Sequence, residues 1–260
     1  MTTNSSATHI EKFFIATCKL PYCKINREEF LTKQLNGKVG NEKLADVLEN
    51  GTINAGIPID ILNKLADGTI KNETLRATSL SSLAGIPGGL GMLATVPGDL
   101  VQFYTHVMRV AQKLAYIYGH KEINLDDAEQ SELMIFLAVM FGIDCTVNTL
   151  AKLIAANSTK ISTRIVSKPL TKYAIYNISK KVLKWVGINL TKKSFGGFFG
   201  KLIPIVGGAV SGVITYLTFP TMAKRLSKEL SKIVAMSPEE LEKIAIEADI
   251  VSADFEPTEK

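Results

Sequence analysis

The side chains in this 260-residue chain that come nearest to a chemical constellation are Asp99, His106, Arg109 and Asp144. A carboxylate beside an imidazole is the usual pair for general acid–base catalysis. Here the spacing is wrong for it. His106 follows Asp99 by seven residues, so on a helix the two share a face but stand about 10.5 Å apart along the axis. Simpler roles fit these residue types: Asp99 as a helix cap, His106 partly exposed, and Arg109 reaching solvent or a lipid phosphate. Asp144 follows the eleven-residue apolar run Leu133 to Ile143. A carboxylate buried there needs a partner, and Arg109 is the nearest candidate type, which favours a structural ion pair over a catalytic acid.

Other chemistries find less support. His9, His106 and His120 with Cys18, Cys23 and Cys145 show no metal-ligand spacing, so neither a metal nor a cofactor is expected. Three scattered cysteines, with no export signal at the N-terminus, read as reduced thiols of the cytosol. Gly88, Gly89 and Gly91 resemble a phosphate loop but lack the following Lys-Ser/Thr. No catalytic residue is expected. An enzyme acting on a membrane substrate around Asp99 and His106 is the least favoured of three functional readings.

The elements that would position these residues are helical. Ala84 to His120 organises the chain: an uncharged Gly/Pro-rich run turns at Pro97-Gly98-Asp99 into an amphipathic helix. Leu100, Phe103, Val107, Val110, Ala111 and Leu114 form its apolar face, and Asp99, Gln102, His106, Arg109 and Lys113 step along the other. Before it, Asn26 caps a short helix stopped by Gly37, and Glu42 to Glu49 forms a second. A third runs from Pro58-Asp60 to Gly68, and a fourth from about Asn72 toward Leu83. After it, a helix capped by Asp126 or Asp127 extends to about Ala156. Its run from Leu133 is apolar on all sides, too short to span a bilayer and suited to full burial.

Leu170 to Val186 reads as a basic amphipathic helix ended by Gly187. Ile175, Ile178, Val182, Trp185 and Val186 share one face; Asn177, Lys180, Lys181 and Lys184 share the opposite one. Ser237-Pro238-Glu239-Glu240 has the form of a capping box before a last helix. No strand alternation appears. The expected fold is all-α, a single multi-helix domain over residues 21–236, with a flexible N-terminus at 1–20 and a C-terminal helix and acidic tail at 237–260. Two uncharged segments, with Pro87, Gly88, Gly89 and Pro97 in one and Pro204, Gly207, Gly208 and Gly212 in the other, suit Gly/Pro-rich apolar helical hairpins.

The charge pattern is the strongest clue to function. Residues 145–228 carry 14 basic and no acidic side chains, and residues 229–260 carry 3 basic and 9 acidic. A net charge of +5 conceals that division. Mean hydropathy is +0.16, high for a soluble protein and low for one that spans a bilayer many times. Lysines set among uncharged apolar helices suit a diffuse anionic surface better than base readout, so nucleic acid is not an expected partner.

The stretches AGIPGGLGMLATVPGDLVQFYTHVMRVAQKLAYIYG, LMIFLAVMFG, KWVGINLTKKSF and KLIPIVGGAVSGVITYLTFPTMAKRL, with INREEFLTKQL near the start, resemble the bacterial EcsC-type proteins. The resemblance covers roughly residues 20–230 and implies an all-helical, membrane-associated bacterial protein, but no catalytic residues. The expected function is therefore non-enzymatic: an amphitropic or peripheral protein at the inner face of the cell membrane. Its expected partners are anionic membrane lipids, and a membrane protein complex is a further candidate. The lipid-facing residues would be Lys180, Lys181, Lys184, Trp185, Lys192, Lys193, Lys201, Lys224 and Arg225. The alternative is a helical carrier or sensor of a lipid or other apolar ligand.

Overall fold

Asn26 starts the regular structure: its Oδ1 accepts the Glu29 amide at 2.9 Å and caps α1 (Arg27–Leu35). The structure, a computed structural model, describes residues 12, 14–78, 98–126, 131–143, 147–156, 172–191, 211–237, 239–241 and 243–244. The named helices that follow α1 are α2 (Asn41–Asn50), α3 (Ile59–Thr78), α4 (Gly98–Ile117), α5 (Leu133–Phe141), α6 (Val147–Ala156), α7 (Lys172–Thr191) and α8 (Ser211–Ala235). Among the described residues there is no strand, only one isolated bridge between Asn36 and Val39. The fold is all-α.

Helix α4 is the centre, with α1, α3, α5 and α8 packed against it. Its apolar face is buried as the sequence spacing requires, with Val107, Val110, Ala111 and Leu114 fully enclosed. Helix α5 has no polar face at all, and all nine of its residues are buried. Each of its larger side chains contributes roughly 1.5–3 kcal/mol by leaving water. Helix α7 packs on α5, while α8 lies across α3, α4, α5 and α6.

Polar groups close the joints between helices. The buried Arg27 guanidinium donates to the carbonyls of Val47 and Leu48 at the end of α2, and to that of His120 beyond α4. A cation at a helix C-terminus meets its orphan carbonyls and the negative end of its dipole. Thr52 Oγ1 donates to the Ile117 carbonyl at 2.8 Å at the end of α4. Gly119 then turns the chain at φ 88°, where a Cβ would stand 2.7 Å from Ile53. Ser237 and Glu240 complete the capping box, with Glu240 Oε2 accepting the Ser237 amide at 2.8 Å and Ser237 Oγ the Glu240 amide at 3.2 Å.

Four boundaries differ from the sequence expectation. The helix expected to stop at Gly68 continues to Thr78, so the third and fourth helices are one. Gly68 sits on its exposed side, where a glycine costs stability without ending the turn sequence. The helix expected over 126–156 starts at Leu133 and breaks at Gly142, whose φ of 70° is left-handed. Arg225 of α8 fills the space beside that glycine: its Nη1 would stand 2.5 Å from an added Cβ and donates to the Met140 carbonyl. Helix α7 runs past Gly187 to Thr191. Helix α8 contains Pro220, which deprives the Tyr216 carbonyl of its helical partner. Tyr216 is exposed, so water can serve that carbonyl.

The expected hairpin residues Pro87, Gly88, Gly89, Pro97, Pro204, Gly207 and Gly208 lie outside the described residues, as do the acidic tail and both terminal stretches beyond residues 12 and 244. Gly212 falls in the first turn of α8.

Candidate functional site

The polar stripe of α4 points inward. Gln102, His106 and Arg109 are buried, and the Lys113 side chain is 14% exposed. The sequence expectation of a part-exposed His106 and a solvent-reaching Arg109 is corrected by this burial. The cause is α3, which crosses α4 and lays Glu73 over the stripe. Glu73 Oε2 lies 2.7 Å from His106 Nδ1 and 3.8 Å from Arg109 Nε, and Oε1 lies 2.5 Å from Lys113 Nζ. His106, Arg109 and Lys113 step by three and four residues, so successive turns of one helix deliver all three to one carboxylate.

Neighbouring groups complete the cluster. Arg109 Nη1 donates to the Tyr22 carbonyl, and the guanidinium lies 4.0 Å over the Tyr22 ring. Tyr22 also meets the His106 ring edge to face at 5.8 Å. Gln102 Nε2 donates to the carbonyls of Arg76 and Ala77 near the end of α3. Burial alone would push the Glu73 carboxyl up. The hydrogen bonds from His106 and Lys113, with the charges of Lys113 and Arg109, outweigh burial and bring it down to about 2. From the other side of the same pair, burial pulls Lys113 below its ordinary value, Arg109 and Arg76 add to that, and Glu73 offsets them only in part. The contact distances make Glu73 ionised, but the cost of burying the ammonium reduces the net stabilisation.

An ionised carboxylate only accepts, so Nδ1 of His106 carries a proton. Its Nε2 has no hydrogen-bond partner and is sealed from solvent. A Glu–His pair with a free Nε2 is the arrangement of a general base, but a base must stand within about 3 Å of the proton it takes. Full burial of His106 keeps its Nε2 away from solvent. Asp144, the expected partner of Arg109, lies outside the described residues; Glu73 is the carboxylate beside Arg109. Asp99 falls in the first turn of α4.

Sequence reasoning missed Glu73 and Lys113 as members of this cluster. The signal was present. Leu62, Leu65, Ala66, Thr69, Ile70, Glu73 and Ala77 are the inward stripe of α3, and Glu73 holds a core position in that register. Ending the helix at Gly68 removed the register that would have exposed it.

The basic half of the chain turns outward instead. On α7, Ile175, Val182 and Val186 are buried, whereas Lys180, Lys181 and Lys184 are exposed. Lys180 Nζ lies 5.2 Å from the centre of the exposed Tyr176 ring. Trp185 is half-buried and stacks flat on Phe141 of α5, centroids 4.3 Å apart. On α8, Lys224 and Arg225 are exposed, and Arg225 also spends one nitrogen on the end of α5. Tyr216 and Leu217 are exposed on the same helix. Lys192, Lys193 and Lys201 lie outside the described residues. Cys18 and Cys23 are free, buried thiols. No group of three or more His, Cys, Asp and Glu side chains among the described residues is placed to hold a metal ion. No helix among them is long and apolar enough to cross a membrane.

The class these features define is an all-α protein with an ionic cluster locked inside it and a lysine-rich helix face outside. No protein-family model, curated protein or solved structure matches the chain.

Proposed function

We propose that this is a non-enzymatic protein of the EcsC type that docks on anionic lipid at the inner face of a bacterial membrane. The supporting observation is α7: one face packs on α5 while Lys180, Lys181 and Lys184 stand in solvent, within a stretch of 84 residues that holds no acidic side chain. A cation near an anionic bilayer surface gains on the order of 1 kcal/mol. Exposed Tyr176, Tyr216 and Leu217 suit the headgroup level, where amphipathic and apolar side chains add to adhesion. The uncharged run from Leu202 onward adds partial insertion in this proposal.

Vesicle flotation tests it. Wild type should bind phosphatidylserine- or phosphatidylglycerol-containing vesicles and leave them as salt rises. Lys180→Gln, Lys181→Gln and Lys184→Gln combined should weaken binding by up to roughly 3 kcal/mol. Equal affinity of the folded triple variant, or equal binding to neutral vesicles, removes the electrostatic account.

A further inference from the structure

Three sulfur atoms meet in the core beside the ionic cluster. Cys18 Sγ and Cys23 Sγ each lie 3.5 Å from the same atom, Met108 Sδ, and all three residues are buried. The geometry points to a site for one soft monovalent metal ion, Cu(I), held by two thiolates and a thioether.

Four observations carry it. Thiolate and thioether are the donors that select Cu(I) over harder ions, and three of them suffice where Zn(II) would take four ligands. With metal–sulfur bonds of about 2.3 Å, three sulfurs in a triangle round an ion stand about 4 Å apart. The two observed separations are a little shorter, so a small outward shift admits the ion. The backbone is already positioned: Gln112, one turn after Met108, donates from Nε2 to the Cys23 and Met108 carbonyls at 3.0 Å and accepts the Ile25 amide at Oε1. Phe14, one turn before Cys18, is fixed edge to face on Tyr104 of α4.

The fourth is charge. Binding breaks two S–H bonds, releases two protons to solvent and forms three metal–sulfur bonds, with no electron transferred. Cu(I) with two thiolates carries one negative charge. Next to it, Glu73 faces both Arg109 and Lys113, two cations against one carboxylate. The anionic metal–thiolate group would offset the positive excess of the cluster.

The experiment titrates reduced protein with Cu(I) under argon against a colorimetric Cu(I) chelator, and repeats the titration with Ag(I) while following the melting temperature. One equivalent should bind, X-ray absorption should show three sulfur donors, and Ag(I) should raise the melting temperature of wild type. Cys18→Ser/Cys23→Ser should abolish both effects. Met108→Leu, which keeps core volume, should leave the apo melting temperature close to wild type and weaken binding about tenfold or more. Cys145→Ser should bind as wild type does. Retained binding in the double cysteine variant, dependence on Cys145, two-coordinate or nitrogen/oxygen ligation, or no binding by folded wild type would each overturn the assignment and leave a sulfur-packed core.

Discussion

Glu73 decides how three basic side chains come to be buried on one helix. Remove its charge and Arg109 and Lys113 are left in the core without an anion; breaking one partner of a buried pair costs about 3–5 kcal/mol. Glu73→Gln keeps the shape and loses the charge, and should destabilise by that order in chemical denaturation, while losing less helix content than stability. The pH dependence follows from the direction of the shift. The carboxyl is held at about 2 against an ordinary 4.5, so the unfolded chain takes up the proton first. This stabilisation is complete above about pH 4.5 and disappears as pH falls toward 2. Its size is on the order of 3 kcal/mol before the opposing cost at Lys113. Denaturation midpoints measured from pH 6 to pH 2 should fall more steeply for wild type than for Glu73→Gln. Parallel curves would show that the carboxylate is not the group being titrated.

At the scale of elements, local signals were legible and distant ones were not. Asn26 and the Ser237–Glu240 box satisfy amides three residues away, so their chemistry is contained in a few letters. The faces of α7 were legible because its lysines and apolar residues alternate at helical period. The Glu73–His106 contact joins residues 33 apart, and a pattern of period 3.6 says which face is polar without saying whether another helix covers it. Gly68 misled for a related reason: glycine lowers helix propensity but does not end a helix whose neighbours are anchored by Leu65, Ala66, Thr69 and Ile70. A Cβ at Gly68 meets nothing within 4 Å. Gly68→Ala should therefore stabilise by on the order of 1 kcal/mol and raise the melting temperature by about 2–4 °C. A lower melting temperature would mean that α3 is not continuous there.

For the whole molecule, the distribution of charge runs against the simplest expectation. Some of its cations lie at the centre, gathered on one carboxylate, while the lysines of α7 stand outside with no acidic residue near them in sequence. The sequence showed this division as a count but not as a place. Burial also sets an order of local stability. Native-state hydrogen exchange should be slowest for amides of Val107–Ile117 in α4 and Leu133–Phe141 in α5, and faster in α2, which buries only Val47. Protection of α2 equal to that of α5 would contradict the packing.

The chain has one tryptophan, and it is Trp185, ring against ring with Phe141 at 4.3 Å and an interplanar angle of 7°. It follows Lys184 directly, on the helix that faces solvent with its lysines. The native molecule thus carries its own optical reporter, placed where an outward-facing helix meets the fully buried α5. Selective excitation of the indole reads that one junction without any added dye. Its emission colour and its quenching by acrylamide separate a helix that meets a bilayer still seated on the core from one that has peeled away.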